Sequence, residues 1–205
     1  MAPLATGASR LALSGRTRAG TLGRGEARSG PYRWRVSELS TPDPAREVLT
    51  WETFGVASRE LAEKVVASGF LPDVVVAVAR GGLLPGGAVA YALGTKGVGT
   101  LNVEFYTDIG ETLPDPRVLP PLMDTSELPG SKVLVVDDVA DSGRTLELVM
   151  RMMAATGVEA RSAVLYSKPR SIVTPDYSWK DTDLWITFPW SAQPPVEGAH
   201  TAARE

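Results

Sequence analysis

One stretch constrains the fold of this 205-residue chain more than any other: an apolar run that turns abruptly into acids and then into a small polar turn. It spans Val133 to Thr145 and reads Val-Leu-Val-Val-Asp-Asp-Val-Ala-Asp-Ser-Gly-Arg-Thr. Its first four residues are branched and apolar and follow Pro129-Gly130, which predicts a strand buried on both faces, as in parallel sheets. Residues 146–150 then have the composition of a helix. A strand, a polar turn and a helix start bring backbone N–H groups and the positive end of a helix dipole together, which favours phosphate binding.

Three carboxylates lie at fixed offsets between this strand and the predicted helix: Asp137, Asp138 and Asp141. The adjacent pair has the oxygen chemistry to hold ribose hydroxyls or a magnesium ion beside a phosphate. The alternative is a buried strand followed by a capped helix, with acids that are simply solvated at the edge of the sheet. The fixed offsets next to a phosphate-like turn favour the ligand site.

A second strand, predicted over residues 73–79, ends in another glycine-rich turn, Arg80 to Gly87, which is followed by the helix-like residues 88–93. Glycines after a strand let backbone N–H groups approach an anion closely, and the Arg80 guanidinium adds charged hydrogen-bond donors. Alone, Arg80-Gly81-Gly82 is weak evidence for a ligand site, since glycine-rich turns between strands and helices are common packing devices.

The order of the remaining elements fits a parallel α/β sheet with crossover helices. A helix is predicted between an N-cap at Thr50 and a C-terminal cap at Gly69, and further strands are predicted over residues 98–106 and 159–166. Ligands in such sheets gather at the carboxyl ends of the strands. The glycine-rich turn, the acidic turn and Lys168 all follow strands, so we expect them to converge on one cleft.

The stretch from Val133 to Thr145 resembles the phosphoribosyl-pyrophosphate (PRPP) signature of type I phosphoribosyltransferases: an apolar run, two acids, two spacers, a third acid and then Ser/Thr-Gly-x-Thr. The resemblance implies an α/β fold with a central parallel sheet, flanked by helices and carrying a small hood. It places pyrophosphate on the turn that contains Arg80, Gly81 and Gly82, with a cis peptide near Arg80. The other implied PRPP-binding residues are Asp137 and Asp138 for the ribose hydroxyls and Mg²⁺, and Ser142, Gly143, Arg144 and Thr145 for the 5-phosphate, with Asp141 beside them.

A tryptophan-rich segment, residues 175–190, follows Lys168 and resembles the purine-binding hood of 6-oxopurine phosphoribosyltransferases, particularly the xanthine-guanine and short microbial hypoxanthine types. Carried over, Trp185 stacks on the purine ring, the carbonyl of Ile186 faces its 2-position, and Lys168 donates to its 6-oxygen. An ammonium group has donors only and so favours a 6-oxo over a 6-amino purine. The resemblance then gives Asp141 the proton exchange at purine N7.

Residues 107–130 carry many prolines, glycines and acids, and we expect a long loop without regular structure. The resemblance places here the mobile loop that closes over the reacting centre. Arg117 then either reaches pyrophosphate or is a solvated charge. Many purine members carry a Ser-Tyr pair near the start of this loop; here the pair is Phe105-Tyr106, so the hydroxyl of the first residue is missing.

The two ends of the chain differ from its middle in composition. Residues 1–45 are rich in Arg, Gly, Ala and Ser, and are expected to be a disordered extension, although a presequence or a misplaced start would look the same. The phosphoribosyltransferase domain is predicted over residues 46–190, with the hood largely within 168–190. Residues 191–205 are expected to be a disordered tail.

Composition excludes several other classes of function. The net charge of -3 gives no basic field for nucleic acid, and the absence of cysteine excludes thiol chemistry and is compatible with a cytoplasmic setting. The lone histidine, His200, lies in the tail, so a histidine base is not expected. No apolar run is long enough to span a membrane.

The resemblance therefore implies an enzyme that transfers the 5-phosphoribosyl group from PRPP to N9 of a 6-oxopurine, with Mg²⁺ as cofactor. One alternative is a PRPP- or nucleotide-sensing regulator on the same fold. A transferase for adenine or orotate is disfavoured by the hood sequence. The sequence does not rank guanine, xanthine and hypoxanthine, and the resemblance suggests a homodimer or homotetramer.

Overall fold

A computed structural model describes residues 46–108, 111–118 and 128–196, in which helices and strands alternate along the chain. The three helices are α1 (Trp51–Ala67), α2 (Leu83–Leu93) and α3 (Arg144–Ala155). The strands are β1 (Arg46–Val48), β2 (Val74–Ala79), β3 (Gly97–Asp108), β4 (Glu111–Val118), β5 (Lys132–Ala140), β6 (Glu159–Ser167), β7 (Tyr177–Asp181) and β8 (Trp185–Thr187).

The central sheet has the strand order β4-β3-β2-β5-β6-β7. Its last five strands in that order are parallel, and β4 runs antiparallel at one edge. The predicted α/β fold with a central parallel sheet flanked by helices is confirmed. The carboxyl ends of β2 and β5 lie side by side, because these two strands are neighbours in register.

The apolar run in β5 is buried on both faces, as its composition predicted. Leu134 and Val136 face the core that contains α1 and α2, whereas Val133 and Val135 face the core that contains α3. All four side chains are completely buried. Alternation along the strand sends successive side chains to opposite faces, so a run without polar interruptions requires a helix layer on each side.

The first helix begins and ends where its capping residues predicted. The Thr50 hydroxyl accepts a hydrogen bond from the Thr53 amide at 3.1 Å, which satisfies one of the free N–H groups at the helix start. At the other end Gly69 has a φ of 78°, the left-handed conformation that commonly follows a helix C-terminus.

The prediction of an unstructured loop over residues 107–130 is wrong for part of that range. β3 continues to Asp108, and residues 111–118 form the edge strand β4. Pro114 and Pro116 lie where the pairing of β4 with β3 shifts register, between the paired positions Thr112 and Arg117. Proline lacks a backbone donor and is tolerated on edge strands and at bulges, so it did not exclude a strand here. Residues 109–110 and 119–127 lie outside the described residues.

A separate two-stranded parallel sheet joins the two ends of the described chain. β1 pairs with β8, with Arg46 opposite Trp185 and Val48 opposite Thr187. Within the range predicted as hood, 168–190, β7 instead extends the central sheet beside β6. The domain boundaries stay predictions, because residues 1–45 and 197–205 lie outside the described residues. In the described ranges, no helix is long and apolar enough to cross a membrane.

Candidate active site

The cleft forms at the carboxyl ends of three neighbouring strands. Arg80 follows β2, Asp141 follows β5, and Lys168 follows β6. Ala140 pairs with Ser167, and the Lys168 amide donates to the Ala140 carbonyl at 3.1 Å, so Asp141 and Lys168 emerge from adjacent strands. The structure thus brings the acidic turn next to Lys168.

The glycine-rich turn after β2 packs directly against the acidic turn. A Cβ atom on Gly81 would lie 2.2 Å from Oδ2 of Asp138, so a side chain at this position has no room. A Cβ on Gly82 would lie 2.5 Å from the Val136 carbonyl oxygen. The Gly82 amide donates to the Val78 carbonyl at 2.8 Å, so this N–H, in the turn on which the resemblance places pyrophosphate, already has a partner within the protein.

The peptide bond between Ala79 and Arg80 is cis, as the resemblance implied.

Of the two adjacent acids, Asp137 is buried and Asp138 is half-buried. The Asp138 amide donates to Oδ1 of Asp137 at 2.9 Å, and Asp137 is only 8% exposed. Burial, and then the neighbouring charge of Asp138, raises the pKa of Asp137 well above its usual value. Burial raises the pKa of Asp138 to about 6. Ionising both carboxyls is costly without a compensating cation or hydrogen-bond donors, which is the requirement that a metal ion or ribose hydroxyls would meet.

These acids suit Mg²⁺ better than a cation that takes all of its ligands from the protein. Among the described residues, no group of three or more His, Cys, Asp or Glu side chains is arranged to hold a metal. Asp137 and Asp138 would therefore provide at most two carboxylate ligands. Mg²⁺ is commonly held by one or two carboxylates together with substrate phosphates and water.

The predicted phosphate turn leads into the N-terminus of α3. Gly143 caps this helix with a φ of 78°, and Arg144 is its first residue. A Cβ on Gly143 would lie 2.3 Å from the Ser171 hydroxyl, and the Ile172 amide donates to the Ser142 carbonyl at 3.0 Å. The segment after β6 therefore holds the turn in shape, and the helix start supplies the positive dipole end that attracts a phosphate.

Asp141 is ion-paired with Arg170, which no sequence motif predicted as a site residue. The Nε of Arg170 donates to Oδ1 of Asp141 at 3.1 Å, and one of its terminal nitrogens bonds to the same oxygen. This hydrogen bond and the carboxylate charge raise the pKa of Arg170. Both side chains are about half exposed or more, so the pair orients Asp141 without burying it.

The predicted purine-binding residues share one cavity of about 330 Å³ with Asp141. Lys168 is 7% exposed, and its ammonium group donates to the Leu184 carbonyl. Trp185 is 66% exposed, which suits a ring that stacks on a ligand rather than in the core. The lining residues are Arg46, Val139, Asp141, Lys168, Trp185, Ile186, Thr187, Phe188, Ser191 and Ala192.

Comparison with known families decides what this fold is. Residues 44–196 match the model of the phosphoribosyl transferase domain, which covers most of the chain. The chain belongs to the phosphoribosyltransferase family.

Individual phosphoribosyltransferases resemble the chain over most of its length. The xanthine-guanine phosphoribosyltransferase of Nitratidesulfovibrio vulgaris is 33% identical over 159 residues, which cover 76% of this chain and 91% of that protein. Among solved structures, a purine phosphoribosyltransferase from Pyrococcus horikoshii is 37% identical with a TM-score of 0.64, covering 75% of this chain and 99% of the other. The xanthine-guanine-hypoxanthine phosphoribosyltransferase of Helicobacter pylori is 27% identical with a TM-score of 0.62, covering 72% and 94%.

Two features of this phosphoribosyltransferase cleft were missed in the sequence. Arg170 had a weak signal, since it follows Lys168 by two residues in the same strand-end segment. Arg46 had none, because its place in the cavity depends on the pairing of β1 with β8, which are far apart in the chain.

Proposed function

We propose that this phosphoribosyltransferase transfers the 5-phosphoribosyl group from PRPP to N9 of a 6-oxopurine, giving the nucleoside 5′-monophosphate and pyrophosphate in purine salvage. The observation that carries the proposal is the cavity that joins Lys168 and Trp185 to Asp141, which follows the strand bearing the PRPP signature. The similarity to a xanthine-guanine and to a purine phosphoribosyltransferase supports the same substrate class.

PRPP would lie across the acidic turn, with its ends held by different elements. Asp137 and Asp138 would hold the ribose hydroxyls, directly or through Mg²⁺. Ser142, Gly143, Arg144 and Thr145 would surround the 5-phosphate at the start of α3, where the helix dipole is favourable. Arg80 and the Gly81 amide would face pyrophosphate, and the contact between Gly81 and Asp138 supports this by placing the two turns together.

Mg²⁺, held by Asp137 and Asp138, would neutralise the charge of the departing pyrophosphate. The chain itself has to stabilise the ribose carbon as the leaving group departs and to position the base nitrogen. A carboxylate beside the ribose ring stabilises positive charge that develops there, and Asp141, which lines the cavity and directly precedes Ser142, would take this role.

Asp141 would also exchange the proton at purine N7. Its bond to Arg170 restricts its orientation, which supports a positioned acid-base group rather than a freely rotating surface acid. Lys168 would donate to the 6-oxygen of the base. Its burial supports this assignment, because a nearly buried ammonium group needs acceptors, and the purine oxygen would add one to the Leu184 carbonyl.

A PRPP- or nucleotide-sensing regulator is the weaker candidate. A protein that only binds its ligand has no need for an acid-base group next to the base. The described residues retain both Asp141 and Lys168 in one cavity, which favours the enzyme.

We also propose a cytoplasmic homodimer or homotetramer. The helix α2 has no charged side chain and exposes Leu83, Leu84 and Tyr91, the last of them 92% exposed. Such a surface is suited to contact with another subunit. Light scattering coupled to size-exclusion chromatography would give the mass in solution, and a monomer at micromolar concentration would contradict the assembly.

The proposed reaction is tested by incubating the protein with PRPP, Mg²⁺ and, in turn, hypoxanthine, guanine, xanthine and adenine, while measuring pyrophosphate release. We expect release with one or more 6-oxopurines and far less with adenine. Asp141→Asn serves as the matched control for contaminating activity. Absence of release with all four bases, together with saturable PRPP binding, would favour the regulator instead.

A further inference from the structure

A tight turn after β6 presents Arg170 to Asp141. The Ser171 amide donates to the Lys168 carbonyl at 3.0 Å, which closes a four-residue turn. Pro169 occupies the second position of this turn, where the fixed φ of proline is favourable, and Arg170 occupies the third. The Arg170 side chain therefore starts from a defined backbone conformation.

Two backbone hydrogen bonds attach this turn to the residues on either side of Asp141. At the start of the turn, the Lys168 amide donates to the Ala140 carbonyl at 3.1 Å. Just after the turn, the Ile172 amide donates to the Ser142 carbonyl at 3.0 Å. Because the same short segment carries the arginine partner of Asp141, main-chain bonds, and not charge alone, set the distance between the two side chains.

The hydrogen bonds from Arg170 end on one oxygen of the Asp141 carboxylate. Its Nε donates to Oδ1 at 3.1 Å, and one of its terminal nitrogens donates to the same atom. A bidentate pair would instead occupy both oxygens. Within residues 46–108, 111–118 and 128–196, no group donates to Oδ2, so this oxygen is available to a ligand in the cavity that Asp141 lines.

The contact changes the freedom of Asp141 more than it changes folding stability. Both side chains are substantially exposed, and exposed ion pairs add little to stability. Two donors on one oxygen do restrict rotation of the carboxylate, and a small misplacement of a proton-transferring group lowers the rate strongly. Arginine stays protonated at all relevant pH values, so Arg170 can hold Asp141 without taking part in the proton exchange itself.

We infer that Arg170 is a positioning residue, which holds Oδ1 of Asp141 so that Oδ2 is the oxygen that exchanges the proton at purine N7. The inference rests on the proposed function, since it requires a 6-oxopurine in the cavity and proton exchange at Asp141. It adds the residue that orients the carboxylate and the atom that reacts.

The proton exchange balances in the following way. N9 of the base bonds to the ribose carbon through its electron pair, and the bond from that carbon to pyrophosphate breaks with its electrons leaving on pyrophosphate. The N7 proton passes to Oδ2 of Asp141, which later releases it to water. Arg170 remains bonded to Oδ1 throughout.

The test is a double-mutant cycle of Arg170→Gln, Asp141→Asn and the double variant, with kcat and KM measured for PRPP and for a 6-oxopurine that the protein accepts. For Arg170→Gln we expect kcat to fall about tenfold with little change in either KM, which is part of the roughly 100-fold effect of a general acid-base group. In the Asp141→Asn background, Arg170→Gln should cause no further fall, because Arg170 acts through the carboxylate.

Two variants serve as controls. Arg170→Lys should retain part of the lost activity, since an ammonium group can donate to the same oxygen but lacks the planar arrangement of donors. Arg59→Gln should keep the wild-type kcat. Arg59 is likewise exposed, and its Nε lies 3.4 Å from a carboxylate oxygen of Glu63, so it matches the loss of an exposed ion pair outside the cavity lining.

Four results would overturn the inference alone. One is an unchanged kcat in Arg170→Gln, and another is an equal further fall in the Asp141→Asn background, which would mean that Arg170 acts independently of Asp141. A rise confined to KM for PRPP would make Arg170 a phosphate ligand, and a thermal midpoint several degrees lower would give it a structural role. A wild-type protein that turns over no 6-oxopurine would instead overturn the proposed function, and the inference with it.

Discussion

The side of the cleft proposed to bind PRPP, here called the PRPP side (residues 80–82 and 137–145), comes from two short motifs at the ends of neighbouring central strands. The side proposed to bind the base, here called the base side (Arg46, Lys168, Trp185 and Ile186), is assembled from three distant segments. On the PRPP side, contacts are so close that Gly81 and Gly82 have no room for a side chain. On the base side, Trp185 is largely exposed and the wall is a two-stranded sheet. The rigid side suits a ligand part common to all family members, and the open side suits a part that varies among them.

The largest effect should come where the two sides meet. Asp141→Asn should lower kcat about 100-fold or more with every base that the protein accepts, because an amide cannot exchange the N7 proton. The side chain is about half exposed, so the thermal midpoint should change little. Turnover close to that of the wild-type protein would remove Asp141 from the acid-base role.

The close packing of the PRPP side predicts a second effect. Gly81→Ala should reduce the free energy of unfolding by about 1–3 kcal/mol and raise KM for PRPP, because its Cβ would overlap the carboxylate of Asp138. Gly87→Ala is the matched control: a Cβ there meets nothing within 4 Å, and alanine in a helix interior should stabilise the protein by about 0.5–1 kcal/mol. Equal melting temperatures for the two variants would show that the turn is less tightly packed than described.

On the base side, Lys168→Ala should weaken selection of the base more than PRPP binding. We expect KM for the preferred 6-oxopurine to rise about tenfold, since a hydrogen bond from a charged donor is lost. KM for PRPP should change much less. Lys96→Ala, at an exposed lysine after α2, controls for charge. Unchanged kinetics with guanine and hypoxanthine would argue against a contact between Lys168 and the 6-oxygen.

The two adjacent acids, Asp137 and Asp138, predict a smaller effect that depends on pH. Burial raises the pKa of Asp138 from 3.8 to about 6, so the folded state holds this proton more tightly than the unfolded chain does. Stability should therefore fall as the pH rises from about 4 to about 6 and stay lower above that range. Asp138→Asn mimics the protonated acid, and its gain in unfolding free energy over wild type should be about 1 kcal/mol larger at pH 8 than at pH 5.

Denaturant unfolding at the two pH values measures this difference. Asp181→Asn, an exposed acid on the edge strand β7, is the control and should show no such gain. An equal effect of Asp138→Asn at both pH values would contradict the raised pKa.

The difference between the PRPP side and the base side also explains which parts of the site could be predicted from the sequence. The PRPP side lies within contiguous motifs, and its strands were predicted to within a few residues. The start of α2 was predicted too late, because Gly86 was interpreted as part of a turn. Gly86 lies inside the helix, where a Cβ atom would come 2.7 Å from the Cβ of Ala77. That glycine permits close packing of a helix on the sheet, and composition alone does not separate this use from a turn.

The base side could be predicted only residue by residue. Lys168, Trp185 and Ile186 were identified through resemblance, and the structure places all three on one cavity. Arg46 required the register of β1 with β8, and no local pattern encodes the pairing of a three-residue strand with a partner far along the chain. In β4, Pro114 and Pro116 lie at a shift in the pairing register with β3. The local sequence therefore did not indicate a strand there.

The pairing of β1 with β8 also has a consequence for the order in which the protein is made. The chain leaves the ribosome from its N-terminus, and domains fold as their residues emerge. β1 must wait for almost the whole domain to be synthesised before its partner exists, and closing so long a loop carries an entropic cost. A nascent chain can therefore form the ends of β2 and β5 well before it has the cavity beside Trp185, so the part of the site proposed to select the base is completed last.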